Sequence, residues 1–171
     1  MDQVYLDIET SGLSELHDSI VEIAALKIDG KSNVKTLFHC YFNPEKKLDA
    51  ITCGSIDLTN DFLSQCPKFE EKVFELLTFI ESAELFVFNK AFIFKFLNVA
   101  LQKVGQPNIK NAVHDLLELS NNRFPKDIAS LDFLFRALDV QSAITKGIIH
   151  EIFLLPMLFQ KIRKFDIEKQ H

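Results

Sequence analysis

The sequence predicts an α/β domain in which an antiparallel hairpin feeds a mixed sheet. Three observations carry that prediction. The opening stretch holds three strand-like segments, the last two joined by the turn residues Asp29-Gly30-Lys31-Ser32-Asn33. A short, continuous apolar run at 85–88 is what a buried interior strand requires. From Pro67 onward, amphipathic segments alternate with strand-like ones, the pattern of helices laid against a sheet.

Each element has a local reason. Residues 4–8 alternate apolar positions with Tyr5, Asp7 and Glu9, a half-buried strand that Ser11-Gly12 breaks. Residues 20–28 and 35–42 form the second and third strands, and Asn43-Pro44 ends the third. After Pro67, a helix of about fifteen residues gathers Phe69, Val73, Leu76, Leu77 and Ile80 on one face. Asn89 is a start signal for the next helix, which runs to Val104 and is closed by Gly105. Residues 112–114 make a further short strand. Asp115 can cap a helix over 116–122, and Ser130 one over 131–138, with Asp132 in its first turn as a partner of the helix dipole. The last helix starts near Lys146, and Pro156 should kink it.

Composition narrows the function classes. A chain of 171 residues, 47% hydrophobic and 25% charged, fits one domain with a real core, placed at 1–165 with a polar tail over 166–171. The net charge of −5 gives no global basic field to attract nucleic acid, so any basic groove must be local. Cys40, Cys53 and Cys66 lack the spacing of a zinc site. Three cysteines and a start, MDQVYLDIET, without an apolar targeting region point to reduced thiols in a cytoplasmic protein. No apolar run approaches ~20 residues, which argues against a membrane span.

Asp7 and Glu9 stand two apart on a strand, so both carboxylates leave the same face. Adjacent acids repel, and folding alone would not choose them; a divalent cation removes the conflict. Spacing alone leaves this open beside the alternative of a solvated edge-strand face. The neighbouring residues add to it. VYLDIETSGL followed by DSIVEIAALKIDG resembles the first motif of the DnaQ-like (DEDD) 3′–5′ exonuclease family: an apolar strand, Asp-x-Glu, Thr or Ser, Gly, then an Ile-Val-Glu-Ile strand. Asp7, Glu9, Ser11 and Gly12 fit it. FNPEKKL, SIDLTNDFLSQCPKFEE and VHDLLELSNNRFPKDIASLDFLFRAL resemble later blocks of the family in order, with Ile56 and Asp57 where His-Gly usually stands. Asp115, Leu116, Pro125, Ser130, Leu131 and Asp132 also fall in step.

The resemblance implies a ribonuclease H-like fold, a central mixed five-stranded sheet flanked by helices, and within the family the chain is similar to the exonuclease domain of the proofreading epsilon subunit of DNA polymerase III. It also implies two metal ions, Mg²⁺ or Mn²⁺, held around a scissile phosphate. The family's second motif, His-Asn-x-x-Phe-Asp, falls on FVFNKAFIFKFLN: Asn89 and Phe92 match, but Ile93 takes the metal-binding Asp and Phe88 the His. The third motif, His, four residues, then Asp, falls on TKGIIHEIFLL with Lys146 at the His and Glu151 at the Asp. His150 is adjacent, but on a helix it points about 100° away from Glu151.

Two-metal phosphodiester hydrolysis needs several carboxylates around cations roughly 4 Å apart and a base for the attacking water. This chain supplies Asp7, Glu9 and the substitute Glu151, which together would hold a metal weakly or not at all. Losing the base alone typically costs about 10²–10⁴-fold in rate. The resulting expectation is a degenerate family member with little or no two-metal nuclease activity. Ser11, Gly12, Asn89 and Phe92 would line its binding surface for a single-stranded nucleic-acid 3′ end, or it would bind a replication or repair protein. A weak metal-dependent 3′–5′ exonuclease on DNA or RNA and a pure protein-interaction subunit are the alternatives. With no metal held, the Lys146 ammonium is expected to pair with Asp7 or Glu9 in its place.

Overall fold

The computed structural model describes residues 1–121, 124, 130–140 and 147–168. Strands β1 (Gln3–Thr10), β2 (Ile20–Ile28), β3 (Lys35–Tyr41), β4 (Glu84–Val87) and β5 (Val113–Asp115) form one sheet in the order β3-β2-β1-β4-β5. β1 lies at its centre, antiparallel to β2 and parallel to β4, and β4 is parallel to β5. The hairpin, the mixed sheet and the interior position of the apolar run at 85–88 match the sequence reading.

Helices cover both faces. α3 (Phe69–Ile80) and α4 (Lys90–Lys103) lie on one side; α5 (Leu116–Asn121), α6 (Leu131–Ala137) and α7 (Ile148–Glu168) lie on the other. The period-two alternation of β1 divides the core. Val4, Leu6 and Ile8 pack with Leu76, Ile80, Ile93 and Leu97, while Tyr5 joins Phe86, Leu116, Leu134, Ile152 and Leu155. Asp7 and Glu9 share the face of Tyr5, so their carboxylates emerge on the side that α7 covers.

The start and stop signals act as expected at several ends. Asn89 caps α4 from a left-handed conformation, φ 68, its side chain accepting from the Phe92 N–H at 3.2 Å. Ser130 accepts from the Phe133 N–H at 3.2 Å, and Gly105 takes φ +70 after α4. Two helices were not foreseen from their own residues. α1 (Ala50–Ile56) buries none of its residues, so it has no apolar stripe to reveal it; α2 (Asn60–Leu63) is a single turn capped by Thr59. α1 ends at Asp57, φ 55, a left-handed position that aspartate tolerates.

Pro156 does not interrupt α7, which runs through it as one helix. A proline inside a helix costs ~3 kcal/mol, but α7 buries Ile152, Leu155, Leu158, Phe159 and Ile162 around it, and that apolar burial outweighs the lost hydrogen bond. The helix continues to Glu168, into the stretch read as a polar tail; residues 169–171 lie outside the described residues. No helix among the described residues is long and apolar enough to cross a membrane.

Asp115 does more than cap α5. One carboxylate oxygen accepts from the Leu117 N–H (3.0 Å) and from the Asn89 N–H (3.1 Å), the other from the Lys90 N–H (3.0 Å). It therefore ties the end of β5 to the turn that starts α4. Asp115→Ala leaves three backbone donors without an acceptor and is expected to cost about 1–3 kcal/mol, with Asp115→Asn costing less. Urea unfolding measures both, and an unchanged midpoint in the alanine variant would rule out this bracing role.

Candidate functional site

Asp7 and Glu9 stand at the end of the central strand, just before the register between β1 and β2 shifts at Glu9/Thr10. Burial pushes the Asp7 carboxyl up to about 8. The Ile8 N–H, 2.9 Å from its Oδ1, offsets part of this, and repulsion from Glu151, Glu9 and Glu22 adds to it. Burial likewise pushes Glu9 up to about 7, with Glu151 and Glu22 raising it further. Glu151, in the first turn of α7, is raised by burial and by Asp132. The fold therefore gathers acids from β1, β2, α6 and α7 within electrostatic reach of one another.

Glu22 belongs to this cluster and was not singled out in the sequence. It is 6% exposed, lies directly across from Glu9 in the β1–β2 ladder, and its Oε1 sits 2.7 Å from the His39 Nε2. The available signal was a lone acid inside the apolar run Ile20-Val21-Glu22-Ile23-Ala24-Ala25-Leu26.

The loop after β1 is tied around Asp18. The Ser11 N–H donates to the Ser19 carbonyl (2.8 Å), the Ser19 N–H donates to the Ser11 Oγ (2.9 Å), and the Ser14 N–H donates to the Asp18 Oδ2 (3.0 Å). Lys46 reaches the Asp18 Oδ1 at 2.8 Å. A Cβ at position 12 would stand 2.3 Å from the Asp18 Oδ2 and would displace this carboxylate. Ser11 and Gly12 thus shape the loop, whose outermost residue, Leu13, is 79% exposed. Lys95 holds the loop down: its Nζ donates to the Leu13 carbonyl (2.9 Å), pairs with Glu15 (3.3 Å) and lies over the rings of Phe92 and Phe96.

The second-motif positions divide between caps and core. Asn89 is spent on capping α4, Phe92 packs against the core with its ring tilted against that of Phe96, and Phe88 packs against the opposite cluster. Ile93 is 1% exposed among Ile8, Phe96 and Leu97. Lys146 and Pro125 lie outside the described residues, and with Lys146 the expected ion pair to Asp7 or Glu9. The three cysteines are free thiols.

A ribonuclease H-like sheet with acids converging at the end of its central strand defines the class: this is the fold of the DEDD exonucleases. The chain matches the Exonuclease family RNase_T over residues 4–150 and belongs to that family. It is 29% identical over 167 residues to a PolC-type DNA polymerase III of Bacillus cereus, covering 97% of this chain and 12% of that protein. It thus spans about an eighth of that relative's length. Among solved structures it resembles Exonuclease X in complex with 5′ overhanging duplex DNA, with a TM-score of 0.70, 15% identity, and coverage of 95% and 92% of the two chains. It also resembles the nuclease domain of 3′hExo, a DEDDh family member, bound to rAMP, with a TM-score of 0.76, 13% identity, and coverage of 96% and 92%.

Membership of the DEDD type implies divalent metal use in general. Ile93 is apolar and buried, and among the described residues no three His, Cys, Asp or Glu groups stand where they could hold a metal. Burial raises the carboxyls of Asp7, Glu9 and Glu151 above their ordinary range, and neighbouring acids raise them further.

Proposed function

We propose that this chain is a degenerate exonuclease-family domain that lacks effective two-metal hydrolysis and acts by binding a single-stranded 3′ nucleic-acid end. The observation that carries this reading is Ile93, sealed in the core at the position where the family motif has its metal-binding acid. Binding without cleavage needs a loop that can receive a base and a wall that fixes the strand end. The loop after β1 offers Leu13 as exposed apolar surface against which an unstacked base can pack. Lys95 and the ties around Asp18 hold that loop in one conformation. The relative named as a polymerase and the neighbours solved with DNA or a nucleotide support nucleic acid as the ligand. A cytoplasmic replication or repair protein is the further partner this reading implies.

The retained grouping of Asp7, Glu9 and Glu151 favours a second reading, a weak metal-dependent exonuclease. One assay separates the two. A 3′-labelled single strand incubated with excess protein and Mg²⁺ or Mn²⁺ should stay full length. The same strand should bind at low salt and be released as salt rises. Progressive shortening that Asp7→Ala abolishes would establish the second reading, and absence of salt-dependent binding would remove nucleic acid as the ligand.

A further inference from the structure

Packing does little to hold the loop between β1 and β2 in place. None of residues 12–19 is buried, and the two leucines, Leu13 and Leu16, are 79% and 70% exposed. Beneath the loop lies a cavity of about 170 Å³, walled by Glu15, Asp18 and Ser19 on the loop side and by Phe96, Val99 and Ala100 of α4 on another. A segment with so few buried apolar contacts and space below it takes its order from polar ties.

Two lysines from elements distant in the chain supply such ties, and both do so in the same way. Lys95 of α4 donates to the Leu13 carbonyl at 2.9 Å and pairs with Glu15 at 3.3 Å. Lys46, in the segment after β3, donates to the His17 carbonyl at 2.7 Å and to the Asp18 Oδ1 at 2.8 Å. Each ammonium thus takes one main-chain oxygen and one carboxylate, one lysine on each half of the loop. Lys95 also lies over the Phe92 and Phe96 rings, 5.4 and 5.5 Å from their centroids. Lys46 first, and the Ser14 N–H second, hold the Asp18 carboxyl below its ordinary range. At both clamps the lysine charge is already met by a carboxylate of the loop.

We propose that Lys46 and Lys95 are positioning residues that fix the loop in the conformation presenting Leu13 to the terminal base of a bound strand. This rests on the reading of the chain as a domain that binds a 3′ end. Only molecules with the loop in place receive the base, so releasing a clamp lowers the apparent affinity by the fraction of competent molecules lost. The loss depends on the base, because the clamps themselves touch no part of the strand. A lysine that instead contacted a phosphate would weaken every strand alike and lower the salt slope by about 1 when removed.

Charge-balanced variants test this. Lys95→Met with Glu15→Gln and Lys46→Met with Asp18→Asn each remove one cation and one anion, and asparagine can still accept the Ser14 N–H. In fluorescence anisotropy with a chelator present, both are expected to bind a labelled single-stranded oligodeoxynucleotide about tenfold more weakly, with the salt slope of the parent. The same strand ending in an abasic nucleotide should bind parent and variants equally. Lys95→Arg, whose guanidinium can meet the same carbonyl and carboxylate, should stay within about threefold of the parent. Amide hydrogen exchange over residues 13–17 should quicken by about tenfold in both double variants, while the amides of β1 and β2 keep the parent's rates and show that the fold is intact. Unchanged exchange in the loop overturns the clamp, even where the strand binds. An equal loss for base-bearing and abasic ends, or a salt slope lower by about 1, overturns the positioning role. A parent that binds neither strand overturns that role by removing the reading beneath it.

Discussion

Replacing Ile93 with aspartate is expected to destabilise the metal-free domain by about 3–5 kcal/mol, and Mn²⁺ is expected to return part of that loss. Two costs add. The isoleucine leaves a site that is 1% exposed among Ile8, Phe96 and Leu97, so its packing is lost. A carboxyl then enters this apolar packing. A cation that reached the new carboxylate together with Asp7 and Glu9 would bind the folded state alone and stabilise it by mass action. For a domain of this size each kcal/mol moves the thermal midpoint by roughly 2–4 °C, so both changes are within reach of a simple melting experiment. A variant as stable as the parent without metal would mean that position 93 is not a core position. A variant that Mn²⁺ stabilises no more than it does the parent would mean that this side chain does not reach the cation.

Much of the scaffold was written locally. β1 announced itself by alternation, β2 and β3 as strand-like runs joined by turn residues, and α3, α4 and α6 by an apolar stripe or a capping residue. What local patterns could not show was anything settled by distant partners. Asp115 looked like a cap for the helix that follows it, yet two of its three bonds go to the turn before α4, 25 and 26 positions earlier. Glu22 looked like one more polar interruption until the β1–β2 register set it opposite Glu9. α1 has no buried face, so no periodicity marked it. At Pro156 the burial on both sides decides that α7 continues as one helix.

The candidate site was legible unevenly for the same reason. Asp7 and Glu9 follow from strand geometry alone. Glu151 came from the resemblance, because only the tertiary fold carries the start of α7 back to β1. Ser11 and Gly12 were read as substrate-facing, and the structure adds why those residue types stand there: the Ser11 hydroxyl accepts within the loop, and Gly12 leaves room for the Asp18 carboxylate. The family motif thus keeps the residues that build the loop and the turn before α4. At position 93 the structure has a core isoleucine, 1% exposed.

Without metal, stability is expected to fall as pH rises from 5 to 9, by about 2–4 kcal/mol, and Asp7→Asn should remove most of that slope. The sign follows from where the protons sit. Burial first, then repulsion among the acids, raises Asp7 to about 8 and Glu9 to about 7. In the unfolded chain the same groups titrate near ~4. Between those limits the folded state binds more protons than the unfolded one, so each rise in pH favours unfolding. The stabilising contribution is complete below about 4 and is lost as pH passes through the folded values. Asparagine carries no proton, and its amide oxygen can still accept the Ile8 N–H that Asp7 accepts at 2.9 Å. Asp7→Asn should therefore match the parent near pH 5 and exceed it at pH 9. The slope is read as the difference between parent and variant, which cancels every group the two proteins share. Urea unfolding across this range decides the matter. Parallel pH profiles for the two proteins would show that Asp7 is not a group that holds a proton in the folded domain.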